Sequence, residues 1–315
     1  MHIVLLESLS VSSEVLHRHV EPLCRKGHTF VSYERTDDLV TQIAQAKEAD
    51  ILMLANMPLR GEVIRQCTHL QYIDIAFTGV DHVDLEAAKA CGIRVSNASG
   101  YSNQSVSEWT LGMMLSLLRN IPQVDQRCRE GKTKDGLVGC ELSGKTVGIV
   151  GTGAIGTRTA QLCRAFGCKI VAYDGFSHRQ STPEITYLPL AQMLAQSDLV
   201  VLHCPLTDQS RYLIDAQALS YMKQSAYLIN AARGPVVDAQ ALSCALNEGR
   251  IAGAAIDVFE TEPPLPTDHP LLHAKNTIVT PHIAFATRES MEARAQIVFE
   301  NINRFLAGRQ VNVIL

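Results

Sequence analysis

Lys145-Thr-Val-Gly-Ile-Val-Gly151-Thr-Gly153-Ala-Ile-Gly156 is the stretch on which the fold turns. An apolar run ends in G-x-G-x-x-G, and a helical pattern from Ile155 to Phe166, the run Lys169–Tyr173 and Asp174 follow in order. That succession marks a dinucleotide-binding βαβ unit. Gly151 permits the tight turn, Gly153 lets the backbone approach a pyrophosphate, and Gly156 lets the helix pack on the strand. The start of the helix offers N–H groups and the positive end of its dipole to that pyrophosphate. Asp174, 18 residues beyond Gly156, sets a carboxylate at the tip of the second strand. There it accepts from both ribose hydroxyls and repels a 2′-phosphate, which predicts NAD. His178 and Arg179 follow closely; they are either a solvated loop or partners for the phosphate of NADP, the minority alternative.

Outward from this unit the alternation continues. Thr146–Val150, Lys169–Tyr173, Leu199–His203, Ala226–Asn230, Gly253–Ile256 and Thr277–Thr280 read as strands. Asp238 caps a helix that stops before Gly249. Upstream, Ile3–Leu6, Thr29–Tyr33, Ile51–Leu54, Tyr72–Ala76 and Ile93–Val95 alternate with helical stretches, one ending at Gly27, one starting near Thr36 and one ending before Gly92. Such alternation predicts parallel strands with helices on both faces. The segment 102–120, through Trp109, Leu111 and Leu118, reads as a long helix, and Pro122–Lys145 as a polar separator. A last helix from about Thr287 to Ala307 is expected to fold back onto the first region. The fold class is therefore α/β, with two doubly wound parallel-sheet domains: 99–285, inserted into a discontinuous one at 1–98 and 286–315.

The composition of the 315 residues, 46% hydrophobic and 19% charged, excludes disorder and a small disulfide scaffold. A net charge of −4 without a run of one sign gives no nucleic-acid or membrane surface. Nine scattered cysteines, with neither C-x-x-C pairs nor zinc spacing, read as free thiols in a reducing cytoplasm, with no metal. Met1–Glu7 is too short an apolar run for a signal peptide, and no stretch approaches the roughly 18 apolar residues that cross a bilayer. A cytoplasmic protein is expected.

In a doubly wound sheet, ligands bind beyond the carboxyl ends of the strands. The residues found there are His203-Cys-Pro205-Leu-Thr207, Ala231-Ala-Arg233-Gly234, Asp257 with Glu260 and Glu262, and Pro281-His282. Taken singly, Arg233 is equally a solvated surface residue, Glu262 a member of an exposed Pro-rich loop, and His282 a helix-entry residue. Asp257 holds either the nicotinamide end of the cofactor or only a turn, and His203 packs at the adenine edge. Their shared position at the strand ends makes them a candidate site.

These motifs, with Thr78-Gly79-Val80-Asp81 and Asn97–Arg119 upstream, resemble the D-isomer-specific 2-hydroxyacid dehydrogenases over most of the chain. The resemblance implies a Rossmann cofactor domain inserted into a discontinuous, flavodoxin-like substrate domain, an active site in the cleft between them, and a homodimer. It implies that Arg233 binds the substrate carboxylate, His282 is the acid/base and Glu262 supports the histidine. Thr78, Gly79 and Val80 would complete the carboxylate site with backbone N–H groups. The implied cofactor residues are Gly151, Gly153, Ala154, Ile155, Gly156, Asp174, His203, Pro205, Thr207, Ala231 and Asp257. The chemistry agrees: a guanidinium fork matches a carboxylate, imidazole titrates in the range alcohol oxidation needs, and a carboxylate beside it favours its charged form.

Three departures from the family pattern stand out, the first bearing on local packing and the other two on the substrate. No Trp stands near Lys132–Lys134, where relatives commonly carry one; Leu54 stands where the phosphoglycerate branch uses Arg; and Glu262 stands where formate dehydrogenases place Gln. The expected substrate is a small D-2-hydroxy acid or its 2-keto acid, in a pocket drawn from Leu54, Asn56, Met57, Tyr101 and Phe285. The expected dimer contact is the helix around Trp109, Leu111, Met114 and Leu118, unless that helix is buried within its own chain. The rival function is an NAD-sensing, corepressor-like binding protein on the same fold.

Overall fold

Short runs of four or five mostly apolar residues form the central strands of both sheets. Helices cover the two faces, so these strands lack the polar alternation of a half-exposed sheet. A computed structural model describes residues 1–175 and 179–315. His178 lies outside the described residues.

The first unit is Met1–Ser102 with Ala286–Leu315. Its elements are β1 (His2–Leu5), α1 (Ser13–Arg25), β2 (Thr29–Ser32), α2 (Leu39–Ala46), β3 (Ile51–Leu54), α3 (Gly61–Gln66), β4 (Tyr72–Ile75), α4 (Leu85–Ala90) and β5 (Arg94–Asn97). Ser12, Asp38 and Asp84 cap α1, α2 and α4, their side chains accepting from the backbone N–H three residues on. The strands are all parallel, in the order β2-β1-β3-β4-β5, the flavodoxin arrangement. Leu54 and Met57 are fully buried, which assigns both to the core of this unit rather than to a pocket surface.

The second unit is Asn103–Phe285. It contains α5 (Asn103–Leu118), α6 (Ile121–Arg129), β6 (Thr146–Val150), α7 (Ala154–Ala165), β7 (Lys169–Tyr173), β8 (Thr186–Tyr187), α8 (Leu190–Gln196), β9 (Leu199–Leu202), α9 (Ala216–Tyr221), β10 (Tyr227–Asn230), α10 (Ala239–Asn247), β11 (Gly253–Ile256) and β12 (Thr277–Val279). Its parallel order, β12-β11-β10-β9-β6-β7-β8, reverses direction between β6 and β9. Two elements depart from the sequence expectation. The supposed separator opens with α6, whose Pro122 sits in the first turn, where a missing N–H costs nothing. β8 has only two residues, too few to show a period. Helix α5 is apolar on most sides, as a buried helix is. Met114 and Leu118 belong to the core of their own unit, a correction to their place in a dimer contact, while Trp109 and Leu111 are half-buried.

The chain then returns to the first unit as α11 (Arg288–Leu306). Phe305 of α11 stacks on Tyr72 with ring centroids 4.2 Å apart, and Phe299 on His19 at 4.9 Å. The tail continues onto the sheet edge, Val313 bridging Ser96 and the Ile314 N–H donating to the Val95 carbonyl at 2.8 Å. Asp74 of β4 is fully buried beneath α11 and accepts from Asn301 Nδ2 at 2.9 Å; Asn312 Nδ2 in turn donates to Asn301 Oδ1 at 2.8 Å. Burial pushes the Asp74 carboxyl well above the usual carboxylate range. A carboxyl raised by folding stabilises the native state below its unfolded pKa, and that stability drains away as pH rises through its native pKa. Asp74→Asn keeps the shape and the acceptor, so the variant should gain stability relative to wild type as pH rises from about 4. Urea unfolding of both proteins between acid and neutral pH checks this; parallel curves would contradict it.

Among the described residues, no helix is long and apolar enough to cross a membrane, and no group of His, Cys, Asp and Glu is placed to hold a metal ion.

Candidate active site

The strand order of the second unit lays its candidate residues out in sequence. Asp174 follows β7, Gly151 follows β6, His203 follows β9, Arg233 follows β10, Asp257 follows β11 and His282 follows β12. Six neighbouring parallel strands thus deliver one group each to the same edge. The crevice where the order reverses, between β6 and β9, is where a ligand of such a sheet belongs.

At this crevice the chains meet closely. A Cβ on Gly151, whose φ is +86°, would lie 2.8 Å from the backbone of Cys204. One on Gly156 would lie 2.1 Å from the Gly151 carbonyl oxygen, so only glycine lets α7 seat on β6. Around Gly153, by contrast, a Cβ would meet nothing within 4 Å, and Gly153 and Ala154 are exposed at the start of α7. The first-turn N–H groups of Ala154, Ile155 and Gly156 have no acceptor within their helix. Asp174 Oδ2 accepts from the Thr152 backbone N–H at 3.0 Å and its hydroxyl at 2.6 Å, and Arg179 Nε lies 3.6 Å away. Tyr187 donates to the Thr152 hydroxyl at 3.0 Å, fixing it from behind.

His203 shares a hydrogen bond with Thr159 Oγ1 of α7 at 3.0 Å. Burial pushes its imidazole down to about 3, which holds it neutral and unfit for proton transfer near neutral pH. Its Nδ1 is buried with no hydrogen-bond partner among the described residues, an orphaned polar atom beside the crevice. The following loop closes on itself: Ser210 Oγ donates to the Pro205 carbonyl at 2.6 Å and accepts from the Thr207 N–H at 2.8 Å. An open helix start, a carboxylate at the end of the adjacent strand and an orphaned ring nitrogen together fit an extended dinucleotide.

The chemical end lies beyond β10, β11 and β12. Asn230 ends β10, accepts from the Ala232 N–H and donates to the Arg233 carbonyl, both at 3.0 Å, so it shapes the turn that presents Arg233. Ala231, also in this turn, is half-buried. A Cβ on Gly234 would fall 1.9 Å from the carbonyl carbon of Phe259. The turn bearing Arg233 and the chain leaving β11 are therefore in backbone contact.

Asp257 is fully buried and both its oxygens serve the next turn. Oδ1 accepts from Thr280 Oγ1 at 2.6 Å and the Ile283 N–H at 2.8 Å; Oδ2 accepts from the Ala284 N–H at 2.9 Å. The Asp257 carbonyl takes the N–H of His282 at 2.7 Å. Of its two sequence readings, these bonds are those of a turn, and they leave Oδ2 with a single donor. His282 has φ +56°, a left-handed conformation that costs about 1–3 kcal/mol for such a residue and persists where its surroundings enforce it. The charge-assisted bonds from Asp257 do so. His282 Nδ1 meets both oxygens of Glu262, at 2.9 and 3.0 Å, and the ring stands edge-on to Phe285 at 5.1 Å. An ionised carboxylate only accepts, so the neutral imidazole carries its proton on Nδ1 and presents Nε2 as the base.

Sequence reasoning missed Thr152, Tyr187, Thr159, Asn230 and Thr280. Thr152 lies inside the glycine motif and Asn230 directly precedes Ala231-Ala-Arg233-Gly234, which was the available signal. In the first unit, the Thr78 carbonyl accepts from Asn97 Nδ2 at 2.7 Å, fixing the start of the loop that bears Gly79 and Val80.

Residues 111–284 match a family profile described as D-isomer specific 2-hydroxyacid dehydrogenase, NAD binding domain. The chain is 35% identical over 294 residues to a hydroxypyruvate reductase of Blautia hydrogenotrophica, covering 90% of this chain and 91% of that protein. It is 40% identical over 266 residues to a glyoxylate reductase of Thermofilum pendens, covering 82% and 78%. Its fold is similar to that of a D-lactate dehydrogenase from Aquifex aeolicus, solved with NAD and lactic acid, with TM-score 0.87, 29% identity and coverage of 98% and 96%.

Proposed function

The chain belongs to the D-isomer-specific 2-hydroxyacid dehydrogenases, and on that footing we propose that it interconverts a small D-2-hydroxy acid and its 2-keto acid. It is an NAD-dependent oxidoreductase; residues 111–284 are the NAD-binding domain of its family. The first turn of α7 with Gly151, Gly153 and Gly156 would hold the pyrophosphate, Asp174 the ribose, and His203, Pro205, Thr207 and Ala231 the walls. NAD, when bound, supplies the hydride acceptor or donor. Arg233 anchors the substrate carboxylate through its fork. His282 Nε2 takes the hydroxyl proton in oxidation and returns it in reduction, while Glu262 holds Nδ1 and balances the charge the ring gains. The pairing of Glu262 with His282, two strands from Arg233, carries this proposal.

Initial rates with NADH and glyoxylate, hydroxypyruvate or pyruvate, with chiral analysis of the product, test it. Turnover of at least one to a D-product where the carbon is chiral is expected. NAD binding without turnover of any would instead leave a binding protein.

Asp174→Ala should erode the preference for NADH over NADPH. A hydrogen bond to a charged group contributes about 1.5–3 kcal/mol, so the selectivity ratio should fall roughly ten- to a hundredfold, with Arg179 left to meet a 2′-phosphate. Ratios of kcat/KM for the two cofactors measure this, and an unchanged ratio removes Asp174 from the ribose site.

The homodimer is part of the same proposal. Trp109 and Leu111 of α5 are half-buried, and Ile121 of α6 and Val138 stand 49% and 79% exposed nearby in sequence, an apolar set that a second copy would cover. Sedimentation at micromolar concentration should return a dimer; a monomer contradicts it.

A further inference from the structure

Glu262 lies between β11 and β12 on a stretch that is neither helix nor strand, and its side chain is 34% exposed. A carboxylate so placed needs something to hold it against His282. The loop carrying it is tied at its two ends. His269 Nε2 and Glu260 Oε2 are 3.0 Å apart, joining residues nine positions apart in the chain. His269 Nδ1 accepts the Leu271 N–H at 3.3 Å, so the proton of the neutral ring sits on Nε2, aimed at Glu260. The ring is only 13% exposed and stands edge-on to Phe259 at 5.3 Å and 85°. Within the loop, the His269 N–H donates to the Pro266 carbonyl at 3.1 Å and His273 Nε2 donates to the Thr267 carbonyl at 2.7 Å. Phe259 is buried in the core and abuts Gly234, so the clamp is fixed to the body of the unit next to Arg233. Compact loops of this length with joined ends hold their shape through such internal contacts.

We propose that His269 is a positioning residue for the proton-transfer pair. By bonding Glu260 it closes the 260–269 loop and holds Glu262 against His282 Nδ1, touching neither of them. Three carboxylates of this region then have separate tasks: Glu260 closes the loop, Glu262 meets the imidazole, and Asp257 holds the turn beneath it. The proposal rests on the reading of His282 as acid/base.

The test uses NAD-saturated enzyme, 15N-labelled in histidine. Side-chain 15N shifts of His282 report how much proton rests on Nδ1, and that nitrogen is fixed only while Glu262 faces it. His269→Phe keeps the ring contact with Phe259 and loses both nitrogen bonds; His269→Gln retains a donor for Glu260. With His269→Phe the Nδ1–H form of His282 should give way to the Nε2–H form. kcat should fall about tenfold, as misplaced groups do, while KM for the keto acid, set by Arg233, moves less than about twofold. His269→Gln should recover much of both. Should His269→Phe fail to fold, Glu260→Ala, at an exposed position, gives the same two readouts. Unmoved shifts and kcat, with or without a lower Tm, overturn the proposal, and so does either readout moving alone. If the wild type turns over no 2-keto acid, the functional reading falls, while the 15N shifts still decide whether His269 positions Glu262.

Discussion

His282→Ala should lower kcat/KM by roughly a hundred to ten thousandfold in both oxidation and reduction, the range expected when a positioned acid/base is removed. Its turn should survive, because Asp257 grips it through the Thr280 hydroxyl and the N–H groups of Ile283 and Ala284, none belonging to the imidazole. An unchanged melting temperature beside a collapsed rate would therefore place the loss in proton transfer. Glu262→Gln should fall between the two, since an amide still bonds Nδ1 but brings no charge. Full activity in His282→Ala would move the acid/base role elsewhere.

Arg233→Ala should cost at least about a hundredfold in kcat/KM for the keto acid, because substrate orientation goes with the carboxylate anchor. NADH affinity should hold, since the pyrophosphate and ribose residues follow β6 and β7 while Arg233 follows β10. Arg233→Lys should restore only part of the loss: an ammonium keeps the charge but cannot form the two parallel bonds of the fork. Steady-state rates and NADH titration by fluorescence separate the cases. An equal loss in NADH affinity would make Arg233 a structural residue of the β10 turn.

The parts of this molecule that were legible in its sequence are those whose meaning is local. Strand, glycines, helix and acid between residues 145 and 174 sit within one βαβ unit, and each residue type has its own steric or electrostatic reason for its position. The placing of Arg233 and His282 beyond β10 and β12 was legible because the carboxyl ends of parallel strands all lie at one edge. What stayed hidden depends on pairings across distance. Thr152 and Tyr187 support Asp174 through bonds that span 22 and 35 residues. The part Asp257 plays in the turn rests on three donors from residues 280–284, 23 to 27 positions away in the chain. The apolar content of α5 announces burial but not by what, and Met114 and Leu118 proved to belong to their own unit. The clamp of His269 on Glu260 joins two residues with no periodic pattern between them.

Because α11 and the tail at 313–315 complete the sheet that β1 begins, the two units do not become foldable in the order in which they start. Residues 1–102 lack the helix that covers Tyr72 and the partner of Ser96 until residues 288–315 are present. The inserted unit, by contrast, is contiguous and holds all seven of its strands between residues 103 and 285. A chain truncated after residue 285 therefore keeps every strand of one unit and leaves the other without its cover. The uncovered apolar strands of the first unit stay open to wrong partners for as long as that cover is missing.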